Sequence, residues 1–215
     1  MVVAGVNGEL RGKQQRGVEA QRALLEAAGA VFARLSYAEA RLQDIADEAG
    51  ISTGSLFFHL GNKTDIAHTV LATQQERMGL VLTEVLERGA STLDKIIGVF
   101  DGLAELVASD PLVQGGIRLS LQPATELDVE ASTPYQEWVA VAARLVADGQ
   151  KDGSVRDDID VALAAELLNE LFVGAQVLAG LEDSWQSLPL RVQRGHRLIR
   201  GLLAPQRAAS SETHS

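Results

Sequence analysis

The segment from Leu42 to Lys63, LQDIADEAGISTGSLFFHLGNK, limits the possible folds more than any other part of the chain. Leu42, Ile45, Ala46 and Ala49 recur at i, i+3, i+4 and i+7, which sets an apolar stripe along a short helix. Gly50 follows where a left-handed residue ends a helix and a side chain would clash. Ser52 then offers a hydroxyl that accepts an orphan amide proton at the start of a second helix. Ala46 is small enough for the two helices to cross closely, and Leu56 points back into the core they share. These spacings predict a helix-turn-helix. Its second helix presents Thr53, Gly54 and Ser55, free to enter a DNA major groove. An ordinary helical corner has the same helix–glycine–helix order. The small residue, the turn glycine and the inward leucine together favour the DNA-binding reading.

Helical periodicity continues on both sides. Met1 to about Gln15 has several glycines and no sustained period, so it reads as a mobile arm; its Arg11, Lys13 and Arg16 could touch a phosphate backbone, but a solvated tail accounts for them better. Val18–Ala33 reads as a helix with Ala20, Leu24, Ala27, Ala28, Val31 and Phe32 on one stripe. Asn62, with Asp65 three residues on, caps a long helix to about Glu87. Ser91 with Asp94 opens another, which Asp110-Pro111 ends, and Leu112–Leu121 forms a short helix. The 124–132 segment holds Glu126, Asp128 and Glu130; three carboxylates can bind a hard cation, but in a loop they read as solvated charge. Thr133-Pro134 opens a helix to Gly149, Asp160 caps Val161 to about Leu181, and Pro189–Leu203 closes the helical part. The tail 205–215 is expected to be disordered. No strand or repeat is expected. The fold class is all-α.

Charge narrows the partners. The chain of 215 residues carries a formal net charge of −10, yet the stretch from Glu9 to Ile66 holds seven basic residues against eight acidic ones. Phosphate neutralisation supplies most non-specific DNA affinity, so contact with DNA is expected to be local and specific, not a general coat. Cysteine is absent, which excludes disulfides, thiolate metal sites and cysteine nucleophiles. No long uninterrupted apolar run is expected to span a bilayer and the N-terminus lacks a signal-peptide core, so the expectation is a cytoplasmic protein with no membrane partner. His59, His68, His196 and His214 are scattered, and no serine sits in a nucleophile elbow or phosphate loop. No enzyme activity, metal or cofactor is expected.

The run Phe57-Phe58-His59-Leu60-Gly61-Asn62-Lys63 resembles the "Y-x-H-F-x-x-K" pattern of the TetR family of transcriptional repressors, specifically over about Arg16 to Ile66 and by helical layout beyond. The resemblance implies an N-terminal three-helix helix-turn-helix DNA-binding domain (16–62) and a larger helical ligand-binding and dimerisation domain (63–204). It also implies a homodimer on a pseudo-palindromic double-stranded DNA operator. Transferred position by position, Ser55, His59 and Lys63 remain able to contact phosphates or bases; with Thr53, Gly54 and Phe58 of the second helix, and Arg41 meeting phosphate by its charge, they make the expected DNA-binding set. The sequence departs from the family pattern where tyrosine is Phe57, where the capping threonine is Arg41, and where a basic residue of the first helix is Gln21. Those departures leave two outcomes open: an altered operator read with lower affinity, or a family member that binds small molecules or proteins with weak or lost DNA binding.

The helix Val161–Leu181 is hydrophobic nearly all round and so needs two partners: the domain core on one face and, with the final helix, a second copy of the chain on the other. Polar residues inside apolar helices point to a small-molecule effector. Asn169 and Gln176 lie two turns apart with Phe172 between them, Gln114 and Arg118 are similarly spaced on the short helix, and Trp138 follows the acidic segment. Asn169 and Gln176 also fit as interface or satisfied core residues. Pro134–Trp138, Asp158–Val161 and Gly116–Leu119 resemble the γ-butyrolactone autoregulator receptor branch of the family, in which a tryptophan matching Trp138 packs on the lactone.

Overall fold

The computed structural model describes residues 3–122 and 132–205, with side chains from residue 17 and, in the second stretch, from 135. The described residues form nine helices and no strand: α1 (Val3–Arg34), α2 (Leu42–Glu48), α3 (Thr53–Leu60), α4 (Lys63–Leu86), α5 (Thr92–Ser109), α6 (Pro111–Ser120), α7 (Ser132–Lys151), α8 (Val161–Asp183) and α9 (Leu188–Leu203). The carboxylates Glu126, Asp128 and Glu130 and the tail after Pro205 lie outside the described residues. The first helix starts at Val3 instead of Val18. Residues 17–23 are exposed, and burial begins at Leu24. A periodic apolar stripe therefore marks only the part of α1 that covers a core.

The chain divides into two compact units, Met1–Met78 with Asp110–Ala131, and Gly79–Ser109 with Ser132–Ser215. In the first unit, Leu24, Ala28, Val31 and Phe32 of α1 close over Ile45 and Ala46 of α2, Leu56 of α3, Ile66, Ala67 and Val70 of α4, and Leu112 and Leu119 of α6. The unit thus extends past residue 62, because the first turns of α4 bury into the helix-turn-helix core. It also takes in α6, which packs on α1. There, a Cβ on Gly115 would lie 2.3 Å from the Gly29 carbonyl oxygen, and one on Gly29 would lie 2.3 Å from the Leu112 Cα. Two glycines let the helices approach to backbone contact. Arg77 of α4 ties three elements of this unit, donating to Glu26 of α1 and, at 2.5 Å, to Asp110, the residue that caps α6.

In the second unit, Leu93, Ile96 and Ile97 of α5, Val146 of α7, Val155 of the α7–α8 connection, Ala164 and Leu168 of α8, and Ile199 and Leu203 of α9 form the core. Polar pins fix its edges. Asp152 accepts from the Thr92 hydroxyl at 2.5 Å and amide at 3.0 Å, Asp101 pairs with His196 at 2.7 Å, and Arg200 donates to Asp94 at 2.7 Å. Helix α8 buries Ala164, Ala165, Leu168, Phe172, Gln176 and Ala179 on one side. On the opposite side Leu163, Leu167, Leu171, Leu178 and Leu181 are exposed. By length and composition alone α8 is apolar enough to cross a membrane, although Glu166 and Glu170 interrupt its apolar run. That composition arises from apolar residues on both faces, only one of which the unit itself covers.

Candidate functional site

The turn between α2 and α3 is built as its sequence requires. Gly50 adopts φ +68°, its N–H bonds the Asp47 carbonyl at 3.1 Å, and the Ile51 N–H bonds the Ala46 carbonyl at 3.0 Å. This pair of bonds is a Schellman motif, which satisfies the last carbonyls of α2. Ser52 caps α3, its hydroxyl accepting from the Ser55 amide at 3.2 Å. Leu56 and Ala46 are fully buried. At the other end of α2, the Arg41 amide is bonded by the Asp44 carboxylate at 2.7 Å. The threonine of the family pattern is therefore not needed for that bond, and the Arg41 side chain remains exposed.

Helix α3 divides its residues sharply. Gly54, Phe57, Phe58 and His59 are exposed, with Phe58 84% exposed and Phe57 57%. Phe58 and His59 meet edge to face with ring centroids 5.3 Å apart. Ser55 is half-buried, and the Thr53 hydroxyl donates to the Gln43 side chain at 2.6 Å, so Thr53 braces α3 against α2. Lys63 is likewise committed. Its Nζ donates to the Tyr37 carbonyl at 2.8 Å and the Ala40 carbonyl at 3.0 Å, and it lies 4.3 Å from the centre of the Tyr37 ring. The lysine expected at phosphate thus anchors the α1–α2 connection to the start of α4. Sequence reasoning does not single out Tyr37, whose hydroxyl also pairs with Thr64 at 2.8 Å. An aromatic residue in an otherwise polar connection is the signal that could have found it. Asn62 and Asp65 form the expected reciprocal cap of α4.

The residues expected at a ligand separate between the units. Gln114 and Arg118 lie on α6 in the first unit, where Arg118 is exposed and within electrostatic reach of Glu39. Trp138, Asn169, Phe172 and Gln176 belong to the second. There, Trp138 is half-buried on α7, Asn169 donates to the Tyr135 carbonyl of the same helix at 3.3 Å, and Phe172 packs on Phe100 of α5 with ring centroids 5.6 Å apart. Gln176 is buried on the same side of α8 as Phe172. A basin of about 490 Å³ at the α7–α8 turn, lined by Gln150, Gly153, Val155, Arg156, Asp157, Asp158 and Pro205, shares no residue with this set. Unforeseen in the sequence, Ser184 and Trp185 end α8 with φ of 55° and 65°. The buried Trp185 indole lies so close to Gly180 that a Cβ there would approach it to 2.8 Å, and its N–H has no partner among the described residues.

A helix-turn-helix in the first unit and an all-helical second unit define a helix-turn-helix transcriptional regulator. Comparison with known proteins agrees. Residues 24–70 match the model of bacterial regulatory proteins of the tetR family, and residues 90–204 match the tetracyclin repressor-like C-terminal domain. The chain belongs to the TetR family. It is 26% identical over 167 residues to the A-factor receptor protein of Streptomyces griseus, a match covering 78% of this chain and 57% of that protein. It is 28% identical to a γ-butyrolactone receptor of known structure, with 88% of this chain and 90% of that one covered and a TM-score of 0.73. CprB from Streptomyces coelicolor, solved in complex with its operator sequence, superposes with a TM-score of 0.76 at 26% identity, covering 88% of this chain and 91% of CprB. Within the family, the chain resembles the γ-butyrolactone receptor branch.

Proposed function

We propose that this protein is a cytoplasmic, dimeric, ligand-responsive repressor that binds a pseudo-palindromic operator and is released from it by a small apolar effector of the γ-butyrolactone kind. In this reading residues 16–62 engage DNA and residues 63–204 bind the effector and dimerise. The observation that carries it is the exposed start of α3, held above fully buried Leu56 and Ala46 by the Gly50 turn and the Ser52 cap. Gly54, Ser55, Phe58 and His59 face the groove and Arg41 meets phosphate, while Thr53 and Lys63 act by positioning the helices that do so.

Dimerisation is supported by the outer face of α8. Leu163, Leu167, Leu171, Leu178 and Leu181 follow one helical stripe, and Gly174 in its middle has open space where a Cβ would be. Leu198 and Leu202 of α9 are exposed as well. A stripe of leucines with a glycine for close approach suits a self-complementary helical interface. The effector contacts we propose are Trp138, Asn169, Phe172 and Gln176, a mainly apolar set with two amides to orient a polar ligand group. An effector that binds the DNA-incompetent conformation more tightly would shift the population away from the operator.

Selection of bound duplexes from genomic fragments, repeated with a γ-butyrolactone extract, tests the reading. Retention of specific duplexes and their release by the extract is the expected result. The Leu171→Glu, Leu178→Glu double variant is expected to run as a monomer in light scattering and to lose those duplexes. The second reading, a small-molecule-binding family member without an operator, is favoured by the commitment of Thr53 and Lys63 to internal bonds. Failure to retain any duplex decides for it.

A further inference from the structure

Helix α3, TGSLFFHL, contains no Arg, Lys, Asn or Gln. These are the side chains that make paired hydrogen bonds to guanine or adenine in the major groove. Of its remaining polar groups, the Thr53 hydroxyl is spent on Gln43, the Ser52 cap occupies the Ser55 amide, and the Ser55 side chain is half-buried. His59 alone presents an exposed polar side chain. The group that stands out furthest is an aromatic ring, Phe58, at 84% exposure. One turn earlier, on the same face, is Gly54. Neither backbone angle nor packing requires glycine there, since a Cβ at Gly54 would meet nothing within 4 Å and its φ is not left-handed. On the exposed face of α3, beside Phe58, the missing side chain leaves the backbone open to close approach from outside the chain.

Resting on the reading of α3 as the DNA-contacting helix, we propose that this protein reads its operator by apolar contact with thymine, the ring of Phe58 packing on the 5-methyl group. The absent side chain of Gly54 lets the helix sink far enough for that contact. The chemistry matches. The thymine methyl is the one apolar feature on the major-groove edge of a base pair, and phenylalanine is among the side chains that meet it. The edge-to-face contact with His59 at 5.3 Å restrains the ring, so the helix offers an oriented apolar surface beside a single hydrogen-bonding group. Specificity of this kind depends on a methyl group and not on a donor–acceptor pattern.

The test uses the full chain and the duplex that it selects from a randomised pool. Each thymine of that duplex is replaced in turn by deoxyuridine, which keeps every hydrogen-bonding group and removes only the methyl. Binding is read by fluorescence anisotropy at fixed salt. Loss of one buried methyl is expected to weaken binding about fourfold, and symmetric loss in both half-sites by about tenfold or more. Phe58→Ala is expected to bind more weakly and to be indifferent to the deoxyuridine change, whereas His59→Ala weakens binding and keeps the difference. Because Phe58 is exposed, its removal leaves the core intact. The proposal is overturned if no thymine position responds by more than twofold, or if Phe58→Ala keeps the full deoxyuridine penalty; in either case the selected duplex still binds and the reading of α3 as the DNA helix survives. If the pool yields no bound duplex, that parent reading fails and this one falls with it.

Discussion

Replacing Gly54 by alanine is expected to make the protein more stable and a poorer DNA binder. The stability half follows from the fold. Gly54 is the second residue of α3, has ordinary helical φ, and offers open space for a Cβ. Alanine there gains helix propensity and removes backbone freedom from the unfolded chain, together roughly 0.5–1 kcal/mol, with the lower value apt so near the helix start. In a protein of this size that is a rise of about 1–3 °C in Tm. The binding half follows from the inference that the backbone at Gly54 approaches the groove. A methyl interposed there is expected to cost tenfold or more, about 1.4 kcal/mol. Gly50→Ala is the matched control, four residues away in the same motif. Its Cβ also meets nothing, but φ of +68° makes a side chain unfavourable by about 1–2 kcal/mol. That variant should therefore melt several degrees lower. Thermal melts and anisotropy at one salt concentration read both quantities. If Gly54→Ala binds the operator as tightly as the parent chain, the close approach is refuted. If it lowers Tm, the claim that the fold has no use for the glycine is refuted.

Three further outcomes are expected. Gly115→Ala drives a Cβ into the Gly29 backbone, where no side chain can yield, and should destabilise the protein by about 2–3 kcal/mol in urea unfolding. Asp152 has its carboxyl held well below the usual range by hydrogen bonds from Ser154 and Thr92, so its contribution is complete above the unfolded value near 3.9 and is lost as pH falls. Asp152→Asn should accordingly lower Tm at pH 7, and its gap from the parent should narrow as pH falls below about 4. Phe57→Tyr restores a hydroxyl on an exposed ring of α3; if it reaches phosphate, a charge-assisted bond of about 1.5 kcal/mol should tighten operator binding roughly tenfold in gel shifts, and unchanged binding refutes the transferred contact.

The helix-turn-helix is legible in the sequence because its determinants are local. Gly50, Ser52 and Asn62 each act within a few residues of themselves, so a short window of sequence is enough to place the turn residue, the cap and the reciprocal box. The contact of α6 with α1 is not legible in the sequence. The determinants of that contact are Gly29 and Gly115, far apart in the chain, which matter only as a pair. A glycine inside a helical pattern signals close approach but does not name what approaches. Lys63 shows the same limit from the electrostatic side. Its charge and its motif position suggest phosphate, but the Tyr37 and Ala40 carbonyls that claim its ammonium belong to a connection with no periodic signal.

Helix α8 is the instructive middle case. A helix apolar on two faces has no strong contrast between inside and outside, so its sequence declares that two partners exist without assigning a face to either. Ala164, Leu168, Phe172 and Ala179 turn inward, and the leucines at 163, 167, 171, 178 and 181 turn out. The small residues help decide it: Ala164, Ala165 and Ala179 are among the buried positions, while the exposed leucines are free to meet the second copy proposed above. Gly174 sits among those leucines with nothing near it. As with the close approach proposed at Gly54, the open space at Gly174 fits the second copy of the chain that we propose against α8.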